Sequence, residues 1–204
     1  RQQDASERLI ARTQLAVVLT FGTLYAISPK TSSVAPWMTP VGITLAVYFV
    51  FTVFRVWLSY RVRLPGWFLA VSVVADMTLL MTLIWSFHVQ YDQPPSFYLK
   101  APTLLYVFIF IALRALRFEA RYVILAGATA ALGWLALVVY VVKVDPNNPM
   151  ITRNYVDYMT SNSVLLGAEF DKIISILVVT GVLAVALRRA RLLLESSVVE
   201  AAAH

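Results

Sequence analysis

The stretch GAEFDKIISILVVTGVLAVALRRARLLLESS, residues 167–197, decides the fold class. Glu169, Asp171 and Lys172 open it, a purely apolar run follows, and Arg188, Arg189 and Arg191 lead into a further Leu-rich turn. From Glu169 to Arg188 is nineteen residue steps of uninterrupted helical pattern. As a helix that rises about 28 Å, close to the thickness of a bilayer's hydrocarbon core. A helix long enough to cross a membrane therefore has charges at its mouth and continues beyond its basic flank.

Composition extends this reading to the whole chain. Of 204 residues, 60% are hydrophobic and only 14% are charged, and the mean hydropathy is +0.74. A soluble domain of this size would expose far too much apolar surface. Hydropathy marks six spans, at roughly 9–27, 41–60, 67–87, 99–116, 122–142 and 164–188. Breakers separate them: SPKTSSVAPWMTP, RVRLPG, YDQPPS, RFEAR and DPNNP. The fold class expected is an all-α, six-helix integral membrane bundle. It forms a single domain over 1–200, with 188–200 beginning a cytoplasmic signalling helix. Arg1 in place of a methionine, and the terminal residues 201–204, read as the ends of a fragment, His204 being a cloning remnant.

Basic residues set the expected orientation. Arg1, Arg8, Arg12, Arg55, Arg61, Arg63, Arg114, Arg117, Arg121, Arg188, Arg189 and Arg191 fall on one side. Only Lys30, Lys100, Lys143, Arg153 and Lys172 fall on the other, and twelve against five makes the first side cytoplasmic, with both termini inside. The net charge of +6 is then a topology signal and an attraction to anionic lipid headgroups, not a nucleic-acid surface. Trp37, Trp57, Trp67 and Trp85 sit at predicted boundaries, as an aromatic belt does. In AGATAALG, residues 126–133, small side chains recur at i,i+4, the spacing that lets helix backbones approach closely.

The chain has no cysteine, which excludes disulfides, thiolate metal sites and cysteine nucleophiles. A bis-histidine haem within one chain is excluded as well, because His88 is the one internal histidine. Asp76 lies about 13 Å of helix rise beyond Trp67, near the midplane. There it is either a proton or ligand site or, the reading favoured here, a buried structural carboxyl with a partner. Arg55 and Arg114 are expected to snorkel outward.

Glu169 and Lys172, at i,i+3, pair on one face, while Asp171 points elsewhere. These three are either a charged helix cap or an outer sensor site for a cation or small polar ligand. His88, Asp92, Asp145 or Asp157 could join them around a divalent cation. No other cofactor is expected. Past the basic flank, Leu187, Ala190, Leu194, Ser197 and Ala201 fall at alternating spacings of three and four, a thin heptad seam for a parallel homodimer stalk.

ALRALRFEARYVILAG (112–127) together with GAEFDKIISILVV (167–179) and ALRRARLLL (186–194) resembles the six-helix membrane anchors of bacterial class III adenylate/guanylate cyclases. The resemblance covers residues 104–200, and the first three spans agree in arrangement only. It implies a bacterial inner-membrane anchor whose sixth helix leads into a C-terminal cytoplasmic catalytic domain, paired to convert ATP to cyclic AMP and pyrophosphate. The fragment itself carries no catalytic residue and is not an enzyme. The alternatives are a sensor module for another signalling enzyme and a self-contained small transporter, disfavoured by the lack of inverted repeats and of a nucleophile–base pair. No ligand is named by these residues.

Overall fold

In the computed structural model, residues 2–29, 35–144 and 150–203 are described. Arg1, Lys30, Asp145 and His204, each given a place by the sequence reading, lie outside them. Among the described residues the fold is all-helical, about 85% helix, with no strand and only an isolated bridge between Ile151 and Val164. Among the described residues seven α-helices follow in order: α1 (Gln2–Ile27), α2 (Pro40–Arg61), α3 (Gly66–Gln90), α4 (Tyr106–Ala115), α5 (Ala120–Val144), α6 (Tyr155–Thr160) and α7 (Leu166–Ala203).

Helix ends fall where local chemistry places them. Thr39 caps α2 by accepting from Gly42 N at 3.2 Å, with Pro40 in the first turn where its missing N–H costs nothing. Pro65 separates α2 from α3. The turn from α4 to α5 passes through Phe118 at φ 58°, a left-handed conformation that ends α4 sharply.

Among the described residues five helices are long and apolar enough to cross a membrane: Ala5–Ile27, Pro40–Arg61, Gly66–Gln90, Ala120–Val144 and Leu166–Glu200. The fourth expected span, 99–116, is the exception. Its helical part runs Pro102–Ala115, about 21 Å of rise at α-helical pitch and short of a bilayer core of about 30 Å. Prolines explain the loss. Pro95 and Pro102 open two short 3₁₀ segments, Pro95–Lys100 and Pro102–Leu105. Ala101, forced out of the helical region by the proline after it, sits at ψ 126° between them. The sequence reading also missed α6, a single turn capped by Asn154, whose side chain accepts from Val156 N at 2.9 Å.

Counting the short α4, the helices α1 to α5 and then α7 run in alternating directions, so that Arg12 meets Tyr60, Val41 meets Gln90 and Gly66 meets Tyr122, and the bundle has two chemically distinct ends. At the arginine end, Arg12 Nε donates to Tyr60 OH at 2.7 Å, and Arg117 bridges Glu7 and Glu119. Burial opposes ionisation of Glu119, but the Arg117 hydrogen bond and the charges of Arg117 and Arg121 overcome it and hold the carboxyl below its ordinary range. At the lysine end, Gln90 Oε1 accepts from Val41 N at 3.2 Å and Tyr98 OH donates to Leu137 O at 2.6 Å.

α5 is the centre of the bundle and packs on α3, α4 and α7, while α1 packs on α2 and α2 on α3. Ala126, Ala130 and Trp134 of α5 are fully buried against Ile84, Val107, Ile111 and Ile176. The outward faces are also apolar, with Val50, Phe54, Leu132, Ile174, Val182 and Val185 exposed. Helices that are hydrophobic inside and out are at home in lipid, and the chain is a multi-pass membrane protein.

Of the small residues of 126–133, Ala126, Gly127, Ala130 and Ala131 pack within the bundle, as expected. Gly127 faces α7 so closely that an added Cβ would lie 2.6 Å from Thr180 Cβ, an atom that cannot swing away. Gly127→Ala is therefore expected to cost about 1–3 kcal/mol through forced separation of α5 and α7. Adding Thr180→Gly should restore part of the loss, and thermal unfolding of both variants in detergent checks this.

Candidate functional site

Two polar knots lie inside the bundle, one in each half. The first begins with Glu169, in the opening turn of α7 and 1% exposed. Trp134 of α5 donates its indole N–H to Glu169 Oε2 at 2.9 Å. Lys172 reaches Oε1 at 3.0 Å and Oε2 at 3.1 Å, the i,i+3 pair read from the sequence. Tyr158 of α6 donates to Oε1 at 3.5 Å. Lys172 also donates to Leu99 O at 2.6 Å and stacks over the Trp134 ring at 5.1 Å.

A buried carboxylate is tolerated only when its lone pairs are satisfied and its charge is matched, and this one meets both conditions. Glu169 lies in the first turn of α7, where the charged-cap reading put it, but buried and paired and not facing outward. The knot fastens α7 to α5, to α6 and to the 3₁₀ segment Pro95–Lys100. Tyr158 feels it electrostatically: burial first, then the charge and hydrogen bond of Glu169, push its phenol up to about 12.

Asp171 lies on the other side of α7, exposed, as its angular offset requires. With Lys100 and Lys172 it rims a groove of about 620 Å³ floored by Leu104, Leu105 and Phe108. Lys100 donates to the carbonyls of Tyr158 and Ser161, holding the end of α6 against the groove. Burial first, then the like charge of Lys172, lowers the Lys100 pKa below that of an ordinary lysine. The structure thus brings Lys172 and Asp171 to one groove and turns Glu169 inward behind it.

Of the residues expected to join around a cation, Asp145 lies outside the described residues, and His88, Asp92 and Asp157 form no group of three. His88 is packed between Trp85 and Tyr98, at ring distances of 5.0 and 5.5 Å. Among the described residues no group of three or more His, Asp or Glu side chains could hold a metal ion.

The second knot centres on Asp76 and corrects the reading of its neighbours. Arg55 and Arg114 do not snorkel outward. Both are buried, at 1% and 4% exposure, and both bind Asp76 Oδ2, Arg55 Nη1 at 2.8 Å and Arg114 through Nη2. Gln14 of α1 donates to the same oxygen at 2.6 Å. The reason is facial. The buried residues of α2 are Val41, Leu45, Tyr48, Thr52, Arg55 and Ser59, a repeat of threes and fours that puts Arg55 on the face turned to its neighbours. Arg114 continues the buried line of Val107, Phe110 and Ile111 in the same way.

Two guanidiniums thus face one carboxylate, leaving one positive charge in excess. Gln14 Oε1, Tyr48 OH, Asp76 Oδ1 and two of the Arg55 nitrogens have no protein partner. Donors and acceptors left over in one place are the setting in which buried water is held.

The residues of the exit helix are placed simply. Arg188, Arg189, Arg191 and Leu194 are exposed, whereas Leu187, expected to open the dimer seam, is buried in its own bundle. The exposed part of that seam is Leu194 and Ser197, with Ala190 half-buried.

No protein-family model, curated protein or solved structure matches this chain.

The two knots predict a sharp contrast among carboxylates. Asp76→Asn strands two buried guanidiniums and should cost about 3–5 kcal/mol, and Glu169→Ala, which leaves the buried Trp134 N–H unpaired beside a part-exposed Lys172, should cost about 1–3 kcal/mol. Asp171→Asn, at an exposed position, should stay within about 0.5 kcal/mol. Thermal unfolding in detergent measures all three, and a large loss in Asp171→Asn would place that carboxylate in the structural framework instead.

Proposed function

We propose that the chain is the membrane anchor and regulatory domain of a bacterial class III adenylate cyclase, in the inner membrane with both termini cytoplasmic. The observation that carries this reading is the continuity of α7, thirty-eight residues from Leu166 to Ala203. That is about 57 Å of helix, against a bilayer core of about 30 Å. One rod runs from the Glu169–Lys172 knot beside the open groove to a segment, 191–200, exposed on all sides. An anchor that ends at its basic flank has no use for such an extension; a helix that drives another domain does.

The mechanism is a shift between two helix packings. A ligand at the lysine end that prefers one arrangement of α6, the groove and α7 biases the helix, and the bias emerges at the arginine end as a displacement of the attached domains. Two copies joined along the exposed part of the seam hold a pair of catalytic domains together. The basic asymmetry orients the groove outward, and the locked Asp76 knot gives the first four helices a rigid frame against which α7 can move. A transporter, by contrast, needs a midplane acid that can exchange its partner, and Asp76 is held by three donors at once.

Full-length protein in membranes should form cyclic AMP from ATP in a metal-dependent reaction. Asp171→Asn should change the response of that rate to outer-side conditions while leaving folding intact. A different output activity would keep the sensor and remove the cyclase. Solute uptake by proteoliposomes that disappears in Asp76→Asn would replace both with a transporter.

A further inference from the structure

At the arginine end a second groove, of about 670 Å³, opens between the α4–α5 turn and α7 where α7 leaves the bundle. Arg121 lines it from the first turn of α5, and Arg188 and Arg191 line it from α7. The remaining wall includes Glu119, Phe118 and Ile124. Three guanidiniums thus face a space with one carboxylate in it, and that carboxylate is already taken, by Arg117 Nε at 2.7 Å and Arg121 Nε at 2.7 Å. Arg191 meets Glu195 at 3.1 Å, one turn along an exposed helix, a pairing of little strength. Among the described residues Arg188 has no side-chain hydrogen bond or ion pair. Beside these charges Phe118 and Ile124 stand exposed, at 53% and 42%.

We infer that this groove binds one anionic phospholipid, its phosphate between Arg121, Arg188 and Arg191 and the start of its acyl chains over Phe118 and Ile124. Guanidinium forks match phosphate oxygens in pairs, and basic residues at a bilayer surface draw anionic headgroups. The apolar neighbours select a lipid over a free anion, since a bare phosphate would leave Phe118 and Ile124 uncovered. Because the arginines come from two elements, a bound headgroup ties the start of α5 to the root of the exit helix. Lipid composition would then set how freely α7 moves where it leaves the bundle. The inference rests on the membrane reading alone and stands whichever output domain α7 carries.

Native mass spectrometry of the chain released from nanodiscs tests it, with phosphatidylglycerol mixed into phosphatidylcholine as the probe. The wild type should keep one phosphatidylglycerol in preference to phosphatidylcholine, and Arg121→Gln/Arg188→Gln should weaken that retention about tenfold or more, as the loss of two basic contacts implies. Arg61→Gln, at the same end but stacked on Trp57 away from the groove, should retain the lipid. All three arginines are exposed, and circular dichroism of the variants verifies an unchanged fold. Equal losses in Arg61→Gln, equal retention of phosphatidylcholine, or displacement of the lipid by inorganic phosphate would each overturn the site.

Discussion

The Asp76 carboxylate ties four helices together: its Oδ2 takes hydrogen bonds from Gln14 of α1, Arg55 of α2 and Arg114 of α4, while Asp76 itself belongs to α3. Inside a bilayer the packing of helices gains little from hydrophobic burial, because lipid tails are as apolar as the side chains they replace. Close backbone contact and satisfied polar groups have to supply the specificity. Asp76 does this for the first four helices, with a cost that is only tolerable while every partner is in place. Gly127 against Thr180 does it for α5 and α7 by backbone approach.

Glu169 plays the corresponding part at the other end, joining Trp134 of α5, Tyr158 of α6 and Lys172 of α7. The two knots therefore divide the bundle, α1 to α4 around one and α5 to α7 around the other, with α5 packed on both groups. The groove rimmed by Lys100, Asp171 and Lys172 lies where the two groups meet, between the 3₁₀ segments leading into α4 and the first turns of α7.

Much of this was legible in the residues, and more than the hydropathy reading drew from them. The pairing of Glu169 with Lys172 follows from i,i+3 spacing, and the close packing at Gly127 from its small neighbours. The burial of Arg55 was legible too, since Val41, Leu45, Tyr48, Thr52 and Arg55 recur at fours and threes. Reading Arg55 only by its distance from a helix end missed that face. Gln14 carries the same signal on α1, where Glu7, Ile10, Ala11 and Val18 share its buried line. Trp134 went unread because an indole in an apolar span looks like any other large hydrophobe until its N–H is given a partner.

What the sequence by itself determined is the class: long apolar helices, their breakers, the basic asymmetry and the unbroken run into α7, all of them consequences of short-range chemistry and of the bilayer as solvent. The 3₁₀ turns and bend that open the fourth hydrophobic stretch were written in the sequence as well, by Pro95 and Pro102. Tertiary structure alone decided that three donors would converge on Asp76 and that Glu169 would turn inward while Asp171 stayed out. Those outcomes depend on which helix faces meet. A periodic pattern can say that a face is buried, but not which neighbour it is buried against.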